Sequence, residues 1–513
     1  MNEHFRAASD VFEDGREPQR VVIPKRGYGR VDHVERNPSR PHTVLVAIDI
    51  VDADWLDMQG QYDDKFIVHD DMRRMVAWKH FKNGKANKAK LSNPFENAPL
   101  FRLEIELPLN PPSFGLPPPP QFDGMMSDAS LARLETQWIE FDNITKAADP
   151  TAENLGFLYS GLFSEPIPVT VEGRIPSPQD AAALSDIFSL AHLPEANTSD
   201  VERVLSNVDS DYLAAYDVGQ GNANALLSSG YQAMLYFDLG AGVYRNRHTT
   251  PTGLRFCLSS NPKIILSHWD ADHWAGAYAT SVGGSYPALK MEWIAPLQVV
   301  GPLHVAFAYD IATSGGNLYI YSPPPGTVGR TRTTSGHLIS FTTGKGSTRN
   351  ASGIVLSVEN SNLPSGPGSW LLTGDCDYKY FIASLNPAPS IGLVVPHHGA
   401  DIDSSTYPTP TVSQHYRRIV YSFGKDNAHG KTSVQHPTSN GIAIHAAIGW
   451  AHGTWMSSAM KPCATLPGGD ALATCEHSPG SYRGGVIIGW DGAPSPCGIP
   501  CGGRDCSAAL IQS

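Results

Sequence analysis

Four potential metal ligands lie within six consecutive positions of this 513-residue chain, and they are His268, Asp270, Asp272 and His273. Imidazole and carboxylate groups crowded this closely are costly to remove from water unless a cation lies between them. The segment therefore predicts a metal site. Two divalent ions held there would activate a water molecule for hydrolysis.

The elements that must position these ligands are short apolar runs, which we interpret as buried strands. The run Ile264-Ile265-Leu266 leads directly into the cluster. A strand end followed by a tight loop can aim neighbouring side chains at one point, which regular strand periodicity does not. Five further strand-like runs, each followed by polar or metal-competent residues, are residues 216–222, 234–240, 370–375, 391–399 and 418–424, the last leading through Asn427 and His429 to His436.

In their order along the chain, these segments resemble the metallo-β-lactamase superfamily, and within it the hydrolase domain of the competence-channel proteins of naturally transformable bacteria. The resemblance covers about residues 211–450. The matching segments are residues 217–221, 237–240, 268–276, 350–356, 371–375, 396–399 and 422–437. As a set they are specific, whereas a single Gly-Asp or His-His pair would be a weak signal.

The resemblance implies an α/β fold of the αββα sandwich type, in which two facing sheets are covered by helices and metals lie at one sheet edge. It also implies a metal role for six residues and a catalytic role for three. The metal ligands would be His268 and Asp270 for one ion, Asp272 and His273 for the other, Asp375 bridging both, and His397 or His398 completing a coordination sphere. The catalytic residues would be Asp272, His398 and His436, and Asp238 would support the ligands from behind.

The expected reaction is phosphodiester hydrolysis by a nuclease, in which a hydroxide bridging two metal ions attacks phosphorus. His398, His429 or His436 would protonate the leaving oxygen. Asp270 stands where the superfamily most often has a histidine, so three carboxylates would face the ions and manganese or magnesium becomes plausible beside zinc. DNA is the favoured substrate by family resemblance alone.

Two other functions remain open. The same scaffold hydrolyses small esters, lactones or thioesters, and a metal-stabilised regulatory or interaction protein of a bacterial defence system is a third class. Single elements also have purely structural interpretations, since Asp375 alone would make a good helix N-cap. Trp269 and Trp274 are expected to pack beneath the ligand loop.

The charge distribution bears on the partner. A formal net charge of −12 argues against broad attraction to nucleic acid, although bound cations and a local basic patch can outweigh it. Residues 73–90 carry seven Lys or Arg and no acid, with Trp78, His80 and Phe81 between them. Because an equally acidic stretch precedes them, we interpret this region as a self-neutralising surface rather than a nucleic-acid track.

The seven cysteines divide between the hydrolase-like region and the tail. Cys257 and Cys376 lie in the first, and Cys463, Cys475, Cys497, Cys501 and Cys506 in the second. The tail spacings are irregular, so a structural zinc site with His477, disulfides and free thiols all stay open.

The predicted organisation has four parts. Residues 1–40 are expected to be disordered or extended, residues 41–200 to form an accessory α+β region that could bind a protein partner, residues 211–450 to form the hydrolase domain, and residues 451–513 to be a Cys/Gly-rich C-terminal extension. Within the accessory region, strands are predicted over residues 43–48 and 101–107 and helices over residues 129–141 and 180–191. The sequence shows no apolar run of about 20 residues, so neither a membrane partner nor a secretory signal is expected, and a cytoplasmic location is predicted.

Overall fold

The computed structural model describes residues 1–6, 22–36, 43–60, 75, 77–79, 82–83, 91–108, 128–149, 155–279, 281, 284–402, 405–411, 416–428, 435–452, 469–475, 485–492 and 511–512. The chain divides into two compact units. The first comprises Met1–Pro194, Leu297–Leu318 and Ala428–Val434, and the second Glu195–Pro296, Tyr319–Asn427 and Gln435–Ser513. The helices are, in chain order, α1 (Ala53–Gly60), α2 (Asp128–Glu135), α3 (Pro178–Ile187), α4 (Thr198–Leu205), α5 (Pro302–Thr313), α6 (Ile382–Leu385) and α7 (Ser439–Ala447).

A closed antiparallel barrel forms the centre of the first unit. Its strands are β1 (Gly27–Arg36), β2 (Thr43–Asp52), β3 (Leu100–Pro108), β4 (Trp138–Lys146), β5 (Leu155–Tyr159) and β6 (Ile167–Arg174), in the order β1-β2-β3-β5-β6-β4. Alternate residues of β3, among them Leu103 and Ile105, enter the barrel core, as strand periodicity requires. The predicted strands at residues 43–48 and 101–107 are confirmed as β2 and β3.

A nine-stranded sheet belongs to the second unit. It contains β7 (Glu195–Ala196), β8 (Tyr212–Ala215), β9 (Asn224–Leu227), β10 (Ala233–Phe237), β11 (Lys263–Ile265), β12 (Glu292–Pro296), β13 (Asn317–Tyr321), β21 (Val486–Ile488) and β22 (Ile511–Gln512). The order is β22-β21-β8-β9-β10-β11-β12-β13-β7. Strand β11 pairs in parallel with both β10 and β12, so it lies inside the sheet, and Ile264 and Ile265 are buried. The loop after it leaves from the carboxyl end of the strand.

A seven-stranded sheet of the same unit shares a core with the nine-stranded one. It contains, in spatial and chain order, β14 (Gly329–Arg332), β15 (Leu338–Thr343), β16 (Ile354–Asn360), β17 (Gly368–Leu372), β18 (Ser390–Val394), β19 (Arg418–Tyr421) and β20 (Ala471–Ala473). Phe237 and Ile265 of one sheet join Leu356 and Leu372 of the other in one buried cluster. The opposite face of the seven-stranded sheet packs on α6 and α7 through Leu385 and Ile442 among others.

The predicted αββα sandwich with an accessory α+β region is wrong as a fold class. The described residues are strand-rich, 31% strand against 24% helix, and they form several sheets that include the closed barrel. The reason is that barrel closure depends on pairing between strands far apart in the chain, such as β1 with β4, which no local motif encodes. The stretch 216–222, predicted to be strand-like, is instead the connection between β8 and β9.

Several other predictions fall partly outside the described residues. Of the basic stretch 73–90, Lys79 forms an ion pair with Asp186 at 2.8 Å, and Trp78 is buried and therefore not open to a nucleobase. Cys257 and Cys376 are buried free thiols. Cys475 is partly buried, and the other four cysteines and His477 lie outside the described residues. Among the described residues, no helix has the length and apolar character needed to cross a membrane.

Candidate metal centre

The first ligand of the loop lies three residues after β11. His268 follows Leu266 and Ser267, and a 3-10 turn, Ala271–His273, carries Asp272 and His273. Trp269 and Trp274 are fully buried, and Trp269 Nε1 donates to the Pro296 carbonyl at 2.8 Å. As predicted, both indoles are buried beneath the loop. The hydrogen bond from Trp269 to Pro296 holds the loop against the end of the nine-stranded sheet.

Asp375 reaches the same place from the seven-stranded sheet. It lies three residues beyond β17, directly after Gly374, whose φ is +54°. A Cβ at Gly374 would lie 2.4 Å from Ser267 Oγ. Glycine is therefore required both for the left-handed backbone and for the close approach of the two strand ends. This contact brings Asp375 to the ligand loop.

The two adjacent histidines follow β18 in a strained turn. His397 and His398 have φ values of +50° and +55°, and Gly399 follows at +83°. Consecutive side-chain-bearing residues in the left-handed region cost free energy and mark positions that surrounding structure holds in place. His398 is anchored because its Nδ1 donates to the Ser422 carbonyl, 2.8 Å away at the end of β19.

The ligand atoms form two overlapping groups that could hold a metal ion. Within each group the atoms lie within 4.8 Å of one another. The groups are His268, His273 and Asp375, and Asp272, His273 and His398. The His273 Nε2 atom is 3.1 Å from Asp375 Oδ1, and the His398 Nε2 atom is 3.2 Å from Asp272 Oδ2. The sequence prediction thus named side chains that the fold brings together from three strand ends.

The three imidazoles all turn the same ring nitrogen toward the centre. Each Nδ1 is held by the protein, that of His273 by Asp238 Oδ2 at 2.8 Å and that of His268 by Ser267 Oγ at 3.0 Å. His398 uses the Ser422 carbonyl in the same way. Each Nε2 is buried and makes no hydrogen bond. Such an arrangement fixes the tautomer and leaves the Nε2 lone pair free, which is how histidine binds metals.

The electrostatics of the cluster call for positive charge at its centre. Burial opposes ionisation of Asp375, but the facing His273 and His398 hold the pKa of its carboxyl well below the usual range. Burial likewise disfavours the imidazolium of His273, yet the charges of Asp375 and Asp238 raise its pKa well above the ordinary value. Protons or divalent cations can satisfy this demand, and the donor set of nitrogen and carboxylate oxygen suits transition-metal ions.

Asp238 lies behind the ligands, at the end of β10. It is fully buried, and its φ is +64°. Its Oδ1 accepts from the Ser267 backbone N–H at 2.6 Å. Its Oδ2 accepts from Ser267 Oγ at 2.8 Å, from His273 Nδ1 at 2.8 Å and from Asn222 Nδ2 at 3.2 Å. One carboxylate therefore fixes both the ligand loop and a ligand ring.

Asp270 lies beside the two groups rather than within them. Its Oδ2 is 3.3 Å from His268 Nε2, while its Oδ1 is 2.8 Å from Nε of the buried Arg349. The sequence analysis did not identify Arg349, which directly precedes the matching segment 350–356. A lone cation at the border of a motif carries no spacing signal, so only the fold reveals this ion pair.

The remaining predicted residues lie at the edge of the centre. His397 Nε2 is 3.9 Å from Asp375 Oδ2, and its side chain is 25% exposed, so it faces solvent as well as the carboxylate. Its ring centroid is 5.4 Å from that of His436. The His436 backbone is held in place by Asn427, whose side chain bonds both its N–H and its carbonyl. His429 lies outside the described residues.

The comparisons with known proteins identify no family for this chain. No family model matches the chain, and the search of curated proteins returns no match. The resemblance to the metallo-β-lactamase superfamily stays a prediction. What the structure itself supplies is a set of histidine and aspartate groups able to hold a metal ion.

Proposed function

We propose that this chain is a metal-dependent hydrolase that cleaves phosphodiester bonds, with nucleic acid, and DNA first, as its substrate class. The observation that carries the proposal is the convergence of three buried imidazole Nε2 atoms, without hydrogen bonds, on the carboxylates of Asp272 and Asp375. A purely structural ion needs four ligands that close around it, whereas this arrangement keeps an exposed edge at His397.

In this proposal the centre holds two divalent ions, zinc or manganese with magnesium as a further candidate, which supply an activated water and neutralise charge on the phosphodiester. Asp375 is the central ligand. Its Oδ2 lies 3.8 Å from His268 Nε2 and 4.0 Å from His398 Nε2, so this residue would help to hold metal at both ligand groups. His398 takes the ligand role because its Nε2 belongs to a ligand group.

His397 then becomes the candidate proton donor to the leaving oxygen. It is the partly exposed imidazole at the edge, where a substrate would enter, and His436 lies against it. An imidazole titrates near neutral pH and can hold the proton until the bond to phosphorus breaks. In this proposal His436 orients His397 or contacts the substrate.

A basic segment beside His436 supports an anionic substrate. The 3-10 helix Tyr244–Thr249 carries Arg245 and Arg247. It is tied to the His436 side of the centre because His248 Nε2 lies 3.1 Å from the Asp426 carbonyl, next to Asn427. Arginine on a segment tied to this loop would suit a phosphate backbone better than a neutral ester.

The test is a substrate panel for metal-stripped protein resupplied with manganese, magnesium or zinc. Phosphodiester substrates would be bis(p-nitrophenyl) phosphate and single- and double-stranded DNA, and carbon-ester substrates p-nitrophenyl acetate and a lactone. We expect metal-dependent phosphodiester cleavage that is lost in Asp272→Ala and kept in Asp491→Asn, which changes an exposed aspartate of the same unit.

Two outcomes would refute parts of the proposal. Cleavage of the carbon esters alone would replace the phosphodiester with a small ester as substrate. Absence of metal binding by folded protein would refute the proposal, because the proposed nucleophile is a water molecule activated by the metal ions.

A further inference from the structure

A second cluster of potential ligands lies in the first unit, on the outside of the barrel. Val46, Ile48 and Ile50 of β2 enter the barrel core, so Asp49 points to the outer face by strand alternation. Arg102 lies directly opposite Asp49 in the register of β2 and β3. Both side chains are nevertheless buried. Charged residues rarely occupy such positions without a specific partner.

A strand irregularity adds a second carboxylate. The pairing of β1 with β2 shifts between Val31 and His33, so that Asp32 has no opposite residue in the ladder. β-Bulges of this kind re-aim a side chain and recur next to functional sites. Here the shift directs Asp32 to the same place as Asp49, and Asp32 is 1% exposed.

Helix α5 supplies an imidazole to the two carboxylates. His304 lies in its first turn and is buried, and its Nε2 is 2.8 Å from Asp32 Oδ1 and 3.3 Å from Asp49 Oδ2. Gly301 precedes the helix, and a Cβ there would lie 2.5 Å from Asp49 Oδ2. The helix can therefore begin against the carboxylate only because residue 301 has no side chain.

Arg102 orients the carboxylates for this convergence. Its Nη1 binds Asp32 Oδ2 and Asp49 Oδ1. The other oxygen of each carboxylate, Asp32 Oδ1 and Asp49 Oδ2, is thereby turned toward His304 Nε2. The three atoms lie within 4.8 Å of one another. Arg102 would thus act as an outer residue that fixes the orientation of the ligands Asp32 and Asp49.

A proton on His304 does not satisfy the cluster. One N–H directed at Asp32 Oδ1 leaves Asp49 Oδ2 buried and without a hydrogen bond, as is observed. Together with Arg102, a protonated His304 would balance both carboxylate charges, but it would still leave Asp49 Oδ2 without a hydrogen bond. A cation placed among the three atoms would contact all of them at once. We propose that Asp32, Asp49 and His304 bind a divalent transition-metal ion, with Arg102 holding both carboxylates in position.

The donor set and its spacing indicate the class of ion. One imidazole nitrogen and two carboxylate oxygens are ligands of zinc, and ligands about 2.0–2.2 Å from one ion lie about 2.8–3.6 Å apart at ordinary bond angles. The observed separations from His304 Nε2, 2.8 and 3.3 Å, fall in that range. Because every ligand is buried, this ion would fix α5 to the barrel rather than meet a substrate.

The test is the zinc content of the full chain, measured by mass spectrometry after equilibration with zinc and removal of unbound ion. We expect Asp49→Asn to hold one zinc fewer per chain than the wild type. Asp142→Asn, at a 41% exposed aspartate of the same barrel, should hold as many as the wild type. Equal zinc in Asp49→Asn and the wild type would overturn the site and leave a proton on His304 as the occupant.

Asp375→Asn separates this site from the proposed hydrolytic centre. It should lose the zinc of that centre and keep the ion at Asp49. Each of the two proposals can therefore be tested even if the other one fails. If Asp49→Asn does not fold, anomalous diffraction at the zinc edge from wild-type crystals decides. A peak among Asp32, Asp49 and His304 supports the site, and no peak there overturns it.

Discussion

Replacing Asp238 by asparagine tests whether the residue behind the ligands controls metal affinity. Asparagine matches aspartate in shape and also tolerates the φ of +64° at this position, so the change acts on hydrogen bonds rather than on the backbone. An amide has only one acceptor oxygen. If its NH2 group takes the place of Oδ2, it faces three donors, from Asn222, Ser267 and His273.

The less costly orientation places the NH2 group at Oδ1, where it opposes the Ser267 backbone N–H. One buried hydrogen bond is then lost, and His273 exchanges a carboxylate partner for a neutral carbonyl. Because hydrogen bonds to charged groups contribute about 1.5–3 kcal/mol, we expect the free energy of unfolding to fall by about 2–4 kcal/mol. Loss of a partner of this kind lowers metal affinity by about 10–100-fold.

The assay is competition for zinc between the protein and a fluorescent chelator, with unfolding followed in parallel. Asp470→Asn is the matched control, because Asp470 also accepts from a backbone N–H and from a side chain, those of Ala451 and Arg417, in the same unit. The control should lose stability and keep its zinc affinity. Wild-type zinc affinity in Asp238→Asn, with reduced stability, would refute the positioning role of Asp238.

Three further predictions concern packing, pH and the ion pair at Asp270. Gly240→Ala should abolish metal binding at the hydrolytic centre and lower the free energy of unfolding by at least about 2 kcal/mol, because its Cβ would lie 1.8 Å from the Asp272 carbonyl oxygen. Gly492→Ala, with no atom within 4 Å of its Cβ, should behave as wild type in the same binding and melting assays. Burial lowers the pKa of His445 to about 4. As the pH falls below 6.5, the unfolded chain therefore binds a proton at this residue that the folded chain does not bind. The contribution of this group to the free energy of unfolding is complete above pH 6.5 and falls by about 3 kcal/mol as the pH drops to 4. Unfolding curves of His445→Gln should lack this loss. Parallel pH profiles of the wild type and the variant would contradict the prediction. Arg349→Ala should lower the hydrolysis rate and Arg349→Lys restore part of it; equal rates in all three proteins would show that the contact with Asp270 has no functional part.

The ligand strands could be predicted from local sequence because each is an apolar run that ends at a polar residue. The runs before His268, Asp375 and His397 are confirmed as β11, β17 and β18. The helix predicted over residues 180–191 is confirmed as α3, which begins at Pro178 and ends at Ile187. By contrast, the helix predicted over residues 129–141 ends at Glu135, and Trp138–Lys146 is a barrel strand. Pairing with β1 and β6 overrides the local helical pattern there.

The other parts of the structure depend on contacts that a sequence does not display. Barrel closure and the strand shift at Asp32 are properties of pairing register. The choice between His397 and His398 as the inner residue depends on a turn with three successive positive φ values, which sequence spacing does not encode. The ion pair of Arg349 with Asp270 joins residues 79 positions apart in a chain where no periodicity connects them.

The measurement that tests the central claim most directly is a manganese titration of metal-stripped wild type and Asp375→Asn, with bound ion per chain and phosphodiester hydrolysis recorded on the same samples. The account predicts that hydrolysis rises with ion binding in the wild type. The variant should lose hydrolysis and the ions of this centre and keep at most the ion at Asp49, because Asp375 is the carboxylate around which the three imidazoles gather. Wild-type protein that binds no ion, or a variant that hydrolyses the substrate at the wild-type rate, would contradict it.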